Sequence, residues 1–306
     1  MGALTRRAAS AGTAALLTLL RAYSKLPYPV VRATGSAVGS LLYALVAPRR
    51  RVARINLRLC LPELDGAQRE AIVREHFRFF ARSFFERFIF WYGSPARIDR
   101  LARIEHFERF EALRARGPLI VLMPHFLALD ACGIRLSMQA HMFTIYANQS
   151  NPVLNAAILA GRTRFNDPIL MSRQDGIRTA VRLLRANVPF LCLPDMDLGP
   201  RDAVFVPFFG VPAATVTAVA RLARMTGARV LPYVTRMTRD GYVGTFHEPW
   251  ENYPGDDLEA ATARMNAFIE QCVRRMPAQY LWTHKRFKTR PPGEASPYGP
   301  PRRDDE

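Results

Sequence analysis

A histidine and an aspartate separated by four residues follow an apolar run with the length and composition of a buried strand. The run Leu119–Met123 leads through Pro124 to His125, and Asp130 begins the helical pattern that comes next. Ligands of open α/β sheets bind at the carboxyl ends of the strands, so His125 lies where a substrate would approach. A carboxylate that accepts a hydrogen bond from one imidazole nitrogen leaves the other free to take a proton from a hydroxyl. The spacing therefore predicts a general base, His125, oriented by Asp130.

Other chemistry at this position has weaker support. A bare His-x4-Asp spacing is more commonly a core histidine beside a helix cap. Here the spacing follows a predicted buried strand, and the sequence has no G-x-S-x-G elbow, P-loop or G-x-G-x-x-G motif that would indicate a different catalytic centre. Cys132 is near enough in sequence to serve as a thiol nucleophile, although its apolar helical surroundings favour packing. The four cysteines lack C-x-x-C spacing, which predicts neither a zinc site nor a disulfide framework and fits a reducing compartment.

A second loop with chemical potential follows the predicted strand Pro189–Pro194. It concentrates Asp195, Asp197, Gly199 and Arg201 within a few residues, at the same predicted sheet edge as the histidine. The two carboxylates could bind substrate hydroxyls or hold the arginine, and the arginine could bind a phosphate through its two-pronged guanidinium. A surface turn, favoured by the Gly-Pro pair, is the alternative.

The elements that must position these residues form an alternating pattern. From Pro118 onward, short apolar runs alternate with helical stretches, which predicts an α/β fold with a mostly parallel mixed sheet flanked by helices. The predicted strands are Leu119–Met123, Met142–Ala147, Pro189–Pro194, Arg229–Val234 and an edge strand, Tyr242–Glu248. The predicted helices are Gln68–Tyr92, Ala128–Gln139, Val153–Arg162, Asp175–Ala186, Ala214–Thr226 and Leu258–Arg275.

The first sixty residues have the composition of a membrane attachment. Two apolar stretches, Ala8–Leu20 and Ala33–Ala47, are flanked by basic residues, and each falls short of the ~20 residues of a spanning helix. The arginine run that follows them suits the anionic cytoplasmic leaflet, where each basic residue contributes about 1 kcal/mol. A solvated basic face is an equal alternative, and a signal peptide is disfavoured because no small-residue cleavage site follows.

The formal net charge of +17 predicts attraction to polyanions, whether nucleic acid, anionic lipid or an acidic protein. A non-enzymatic basic protein that coats a membrane or binds nucleic acid is therefore a second class of function. The arginines are spread along the chain and no zinc-finger or RNP signature accompanies them. The sequence thus predicts no nucleic-acid partner.

Several segments, taken in order, resemble the lipid A biosynthesis lauroyl/myristoyl acyltransferases, a bacterial branch of the lysophospholipid acyltransferase superfamily. The likeness covers most of the chain. The segments are Leu26–Tyr28 with Pro29, Pro48–Asn56, His125–Asp130, Tyr146 with Asn151 and Pro152, Arg162–Arg164, Asp195–Arg201 and Gln279–Pro291.

The resemblance implies an acyltransferase αβα sandwich with an N-terminal helical membrane-anchoring extension. It implies that His125 deprotonates an acceptor hydroxyl and that Asp130 orients it. Arg162, Arg164 and Arg201 would match positions that hold phosphate groups or steady the oxyanion, and Asp195, Asp197 and Gly199 would belong to the substrate-binding loop.

The resemblance also implies the reaction partners. The acyl donor would be an acyl carrier protein thioester or, less often, acyl-CoA, and the acceptor a lipid A precursor at the cytoplasmic face of the bacterial inner membrane. The thioester is a co-substrate, so no metal or organic cofactor is expected. A lysophospholipid or an amino-acid-containing lipid is an alternative acceptor.

We predict a membrane-associating segment at residues 1–60, a catalytic domain at 61–290 and a disordered tail at 291–306, which is rich in proline and charge.

Overall fold

The centre of the fold is a seven-stranded sheet with the predicted strand of the histidine motif in its middle. The computed structural model describes residues 3–172 and 175–299. The strand order is β1-β9-β8-β2-β5-β3-β4, and every pairing is parallel except β8 with β9. A separate antiparallel hairpin joins β6 and β7. The strands are β1 (Ala102–Glu105), β2 (Leu119–Leu122), β3 (Phe143–Ile145), β4 (Ile169–Met171), β5 (Phe190–Cys192), β6 (Ala203–Phe208), β7 (Val211–Val216), β8 (Arg229–Met237) and β9 (Tyr242–Phe246).

Helices cover the sheet and precede it in the chain. In the described part of the chain they are α1 (Ala3–Tyr23), α2 (Tyr28–Leu45), α3 (Ala47–Cys60), α4 (Gly66–Tyr92), α5 (Pro95–Leu101), α6 (Phe107–Arg114), α7 (Leu129–Ser137), α8 (Pro152–Arg162), α9 (Gly176–Arg185), α10 (Ala218–Thr226) and α11 (Leu258–Arg275). A 3₁₀ turn, Pro277–Gln279, follows α11. Asp65 begins the long helix α4 with a capping box: its side chain accepts from the backbone of Gln68, whose side chain accepts from the backbone of Asp65.

The predicted α/β fold and its mostly parallel sheet are confirmed, with differences at particular elements. The last predicted strand is wrong as an edge strand, because β9 lies between β1 and β8 and pairs on both sides. The predicted helix Ala214–Thr226 begins only at Ala218, since the residues before it form β7. The short strands β1 and β4 and the β6–β7 hairpin were not predicted, because three to six residues carry little periodicity.

The N-terminal segment and the predicted catalytic domain share one core. Val52, Ile55 and Leu57 of α3 are buried in the same apolar cluster as Leu122 of β2. No single helix in the described residues is long and apolar enough to cross a membrane; α2 and α3 meet that test only as a pair, with a bend of 90° between them. The predicted boundary at residue 60 therefore falls inside a continuous packed unit.

The C-terminal segment packs back onto α3. The buried side chain of Asn56 donates to the backbone carbonyls of Trp282 and His284, both at 2.8 Å. Tyr298 donates its hydroxyl to the side-chain oxygen of Asn56 and accepts from the backbone N–H of Phe287. Residues 291–299 were expected to be disordered, yet Tyr298 is 8% exposed; the rest of that predicted tail lies outside the described residues.

Two glycines let α2 and α4 pack with their backbones in contact. A Cβ atom at Gly39 would lie 2.5 Å from the carbonyl oxygen of Phe77 and 2.5 Å from the Cα of Arg78, and one at Gly35 would lie 2.9 Å from the Cα of Arg82. Because these neighbours are backbone atoms, they cannot move aside as a side chain could. The helix pair therefore depends on small residues at this crossing.

We expect Gly39→Ala to lower the free energy of unfolding by about 1–3 kcal/mol, because the added methyl group forces the two helices apart. Thermal unfolding in detergent measures the loss. Gly12→Ala is the matched control, since nothing lies within 4 Å of a Cβ at that position in α1. Equal stability of the two variants would contradict the close packing of α2 and α4.

Candidate active site

His125 lies at the carboxyl end of β2 and is paired with Asp195, which follows the neighbouring strand β5. The ring Nδ1 is 2.7 Å from Oδ1 of Asp195, and the backbone N–H of His125 donates to Oδ2 at 3.0 Å. The two residues meet because β2 pairs with β5 in parallel, so the segments that follow the two strands leave the sheet at the same edge. With Nδ1–H donating to the carboxylate, the lone pair of Nε2 is free to accept a proton.

The carboxylate of Asp195 is buried and ionised. Burial by itself raises the pKa of Asp195, but the charge of His125, the hydrogen bonds from its ring and backbone, and the nearby guanidinium of Arg286 outweigh burial and lower the pKa overall. The hydroxyl of Tyr280 also reaches this carboxylate. Arg286 is itself held in place, since it donates to the carbonyl of Ala214 at 2.8 Å. Asp195 is thus a fixed negative charge beside the imidazole.

The expected pairing of His125 with Asp130 is not what the structure shows. Asp130 lies in the first turn of α7, where Arg162 donates to Oδ1 through Nε at 2.9 Å and Nε of Arg87 lies 2.9 Å from Oδ2. Burial opposes ionisation of Asp130, but these two guanidinium charges lower its pKa overall. The carboxylate of Asp130 is thus bound by arginines from α4 and α8, and Asp195 is the partner of the imidazole.

Close packing of α8 on α4 brings Arg162 to Asp130. A Cβ atom at Gly161 would lie 2.5 Å from the ring of Trp91, so only glycine allows the end of α8 to approach α4 this closely. The side chains of Arg87 and Arg162 are 26% and 29% exposed. Two guanidinium groups share one carboxylate, so this cluster keeps a net positive charge with solvent access.

Arg164 has a structural position instead of the predicted substrate-facing one. Its guanidinium donates to the carbonyls of Phe90 at 2.8 Å and Gly93 at 2.9 Å, at the carboxyl end of α4. The last carbonyls of a helix have no partner within the helix, and a cation there also suits the helix dipole. Arg164 therefore caps α4 and holds the loop after α8 against it.

The loop after β5 divides the predicted substrate residues. The carboxylate of Asp197 is occupied by the backbone of Thr289 at 2.6 Å, by its hydroxyl at 2.8 Å and by the backbone N–H of Gly199 at 3.0 Å. Gly199 adopts a φ of +94°, which an L side chain rarely adopts. Arg201 is 96% exposed and its guanidinium lies 3.9 Å from the carboxylate of Asp202. The loop brings Asp195 to the imidazole and ties Asp197 to the C-terminal segment.

A second histidine, His284, lies close to this pair and was not singled out from the sequence. The backbone N–H of Asp197 donates to its Nε2 at 2.9 Å. Burial is the main cause that lowers the pKa of His284 to about 4, and the charges of His125 and Arg286 lower it further. The ring is therefore neutral near pH 7.

The remaining candidates have packing roles. Cys132 is buried in α7, and burial raises the pKa of its thiol, which agrees with the expected packing role. Within the described ranges, no group of three or more His, Cys, Asp or Glu side chains is placed to hold a metal ion. Arg87, Tyr280, Arg286 and His284 were missed as site residues, because each lies more than thirty residues from the histidine motif and only the fold brings them to it.

Comparison with known proteins identifies relatives over nearly the whole chain. Residues 4–289 match the family described as bacterial lipid A biosynthesis acyltransferase. The chain is 35% identical over 279 residues to the lipid A biosynthesis lauroyltransferase of Escherichia coli (strain K12), covering 90% of each protein. It is 32% identical over 288 residues to the palmitoleoyltransferase of the same organism, covering 92% of each. It is 32% identical over 296 residues to the myristoyltransferase, covering 94% of this chain and 88% of that one.

Among solved structures, the 1-acyl-sn-glycerophosphate (LPA) acyltransferase PlsC from Thermotoga maritima aligns with 81% of this chain and 97% of its own length. The TM-score of this alignment is 0.39, at 14% sequence identity.

We expect Asp130→Asn to lower the free energy of unfolding by about 3 kcal/mol at pH 7, because it leaves Arg87 and Arg162 facing each other without a counter-charge. The pKa of Asp130 is lowered in the folded state, so its stabilisation is present above the ordinary carboxyl range near pH 4 and is lost as the pH falls below it. The difference between wild type and variant should therefore shrink in acid.

Asp99→Asn is the matched control for this measurement. Asp99 pairs with Arg135 at 2.6 Å, but the Asp99 carboxylate is 61% exposed and water screens its charge, so its loss should cost about 1 kcal/mol or less. Urea unfolding of both variants at pH 7 and well below pH 4 makes the comparison. If Asp130→Asn were no more destabilising than Asp99→Asn at pH 7, the assignment of Asp130 as the shared counter-ion would fail.

Proposed function

The chain belongs to the bacterial lipid A biosynthesis acyltransferase family, and on this premise we propose that it transfers a fatty acyl group from a thioester to a hydroxyl of a lipid A precursor. Its relatives are named for lauroyl, palmitoleoyl and myristoyl transfer, so the family varies the acyl group while it keeps the class of acceptor. The observation that carries the chemistry is the His125–Asp195 pair at the carboxyl edge of β2 and β5.

In the proposed reaction, Nε2 of His125 takes the proton from the acceptor hydroxyl as its oxygen attacks the thioester carbonyl. A carbon–oxygen bond forms and the carbon–sulfur bond breaks through a tetrahedral oxyanion. The imidazolium then returns the proton to the departing thiolate, which leaves an ester and a free thiol. Asp195 holds the ring in the productive tautomer and stabilises the imidazolium that forms. No step calls for a metal or an organic cofactor.

The positively charged cluster of Arg87 and Arg162 suits an acidic substrate. Both guanidinium groups are fixed by Asp130 and partly exposed, so each keeps donors that can bind phosphate oxygens. In this proposal Asp130 is a positioning residue that acts through the two arginines, and the aspartate that orients the base is Asp195. Arg164, Asp197, Gly199 and Arg201 then shape or flank the site without contacting the reacting atoms.

We infer that the acyl donor is an acyl carrier protein thioester. Such carrier proteins are acidic, and the formal net charge of +17 favours encounter with an acidic protein through long-range attraction. Acyl-CoA, which also carries phosphates, is the alternative donor. We expect the rate of transfer from the acyl carrier protein to fall more steeply with salt concentration than the rate of transfer from acyl-CoA, because only the protein donor presents an extended acidic surface.

The membrane attachment is proposed from the helical layer of α1, α2 and α4. Leu41 and Leu45 are four residues apart on α2 and are 56% and 68% exposed; Phe84 of the neighbouring α4 is 42% exposed. The exposed residues Arg49 and Arg51 follow directly on α3, where they can bind anionic headgroups. An apolar face bordered by arginines suits insertion into the interface at the cytoplasmic side of the inner membrane.

We expect His125→Ala to lower kcat for acyl transfer by about 10²- to 10⁴-fold, because the general base is removed. Asp195→Asn should give a comparable loss. His125 presents two donors to this side chain, so the NH₂ group of asparagine must oppose one of them and disfavours the productive tautomer. The assay follows a labelled acyl group from acyl carrier protein to a tetraacylated lipid A precursor, with a lysophospholipid as the competing acceptor.

Folded variants are confirmed by their thermal unfolding before activity is compared. If Asp195→Asn kept the kcat of the wild type while a folded Asp130→Asn lost it, Asp130 would be the partner of the base and this assignment would be wrong. Transfer by the wild type to the lysophospholipid alone would retain the chemistry and reject the proposed acceptor.

The double variant Leu41→Glu, Leu45→Glu should bind vesicles that contain anionic lipid at least tenfold more weakly. A leucine side chain that leaves water and enters the lipid contributes about 1.5–3 kcal/mol to binding. Met225→Glu is the control, since Met225 is 46% exposed but lies on α10. Co-sedimentation with vesicles measures the partition. An equal loss in the control, or no loss in the double variant, would refute the proposed membrane face.

A further inference from the structure

A groove lies beside the His125–Asp195 pair, between the helical layer and the C-terminal segment. Its volume is about 370 Å³. One wall comes from the helical layer and the other from the loop after β5 and the C-terminal segment. The residues that line it are Leu42, Val46, Arg49, Phe77, Phe80, Met196, Leu281, Thr283 and His284. The side chains from α2, α4 and the residue after Asp195 are apolar, and the polar groups cluster around His284.

The polar end of the groove adjoins the general base. The backbone N–H of Leu281 donates to the carbonyl of His125 at 3.1 Å, and Met196 directly follows Asp195 in the chain. His284 in turn contacts the loop that carries Asp195, because its Nε2 accepts from the backbone N–H of Asp197 at 2.9 Å. A molecule lying in the groove with its polar end at His284 therefore brings that end to the imidazole that takes the proton.

The hydrogen bonds of His284 determine which ring nitrogen carries the proton. The backbone N–H of Asp197 is a donor, so Nε2 must accept and the neutral ring carries its proton on Nδ1. That N–H is the remaining donor of a ring that lines the groove. Burial and the neighbouring charges lower the pKa of His284 to about 4, so the ring is neutral near pH 7. A neutral imidazole with a fixed N–H can polarise a carbonyl group.

The segment that carries this ring is fixed by α3. Asn56 donates to the carbonyl of His284 at 2.8 Å, and Arg49 donates to the carbonyl of Thr283 at 3.3 Å. Thr289 binds the carboxylate of Asp197, which in turn holds the imidazole through its backbone N–H. A donor held on both sides stabilises developing charge without a large reorganisation cost.

We propose that the groove holds the hydrocarbon chain of the acyl group being transferred, and that Nδ1–H of His284 donates to the oxygen of its thioester carbonyl. This inference rests on the proposed acyl transfer and adds the position of the transferred chain and a further catalytic residue. An acyl thioester consists of an apolar chain that ends in the reacting carbonyl. The groove has the same arrangement, because its apolar part leads to the polar donor of His284 beside His125. We therefore assign the transferred chain as the occupant.

Two substitutions of His284 separate the donor from the structural contact. The side-chain amide of asparagine falls near the position of Nδ1 and can donate there, whereas that of glutamine falls near Nε2 and can only preserve the contact with Asp197. We expect His284→Gln to lower kcat about 10²- to 10³-fold, the usual effect of removing one oxyanion donor. His284→Asn should stay within about tenfold of the wild type, and KM should change little in either variant.

The reverse order would overturn the role of His284. If it served only to anchor Asp197, glutamine would preserve activity and asparagine would lose it. Equal losses in the two variants would also overturn the proposal, because the donor would then make no difference. Thermal unfolding of both proteins confirms that the comparison is made between folded enzymes.

The occupant of the groove is tested by chain length. Leu42→Trp narrows the groove and should shift the ratio of kcat/KM for short over long acyl thioesters by about tenfold or more. Ala44→Trp, exposed on the same helix and outside the groove, should keep the profile of the wild type. An unchanged profile in Leu42→Trp would overturn the assignment of the chain. Failure of the wild type to transfer any acyl group would instead refute the proposed function.

Discussion

The buried carboxylate of Asp195 is the constraint on which the rest of the site depends. An ionised group in the interior must be matched by charge and hydrogen bonds, and Asp195 obtains both from His125 and Arg286. The ring of His125 is thereby fixed in one orientation. The central position of β2 in the sheet places this pair where helices from both ends of the chain can converge on it.

The C-terminal segment is as much a part of this centre as the histidine motif. In this segment, Tyr280 lies beside Asp195 and the backbone N–H of Leu281 donates to the carbonyl of His125. His284, also in this segment, accepts from the backbone N–H of Asp197 in the loop after β5. Asn56 holds the same segment from the opposite side. The N-terminal helices therefore have a structural role besides the proposed membrane attachment, since α3 fixes groups that surround His125.

The helical layer of α2 and α4 connects the proposed membrane face to the proposed chemistry. Close contact at Gly39 brings the two helices together, and their side chains form one wall of the groove while others on the same helices remain exposed. A lipid substrate held at such a layer could reach the base without leaving an apolar environment. Arg87 extends from α4 to Asp130 at the other end of this layer.

The sequence by itself determined the class of fold, the strand before His125 and the position of this histidine at the end of that strand, because these depend on local patterns within about a dozen residues. It could not determine the partner of the base. Asp130 is close in sequence but is bound by arginines from α4 and α8, whereas Asp195 is seventy residues away and adjacent only because β5 lies next to β2. The local pattern also could not show that Arg164 caps a helix or that His284 faces a groove. Strand order and helix crossings decide such contacts, and they follow from the packing of the whole chain, which no single segment encodes.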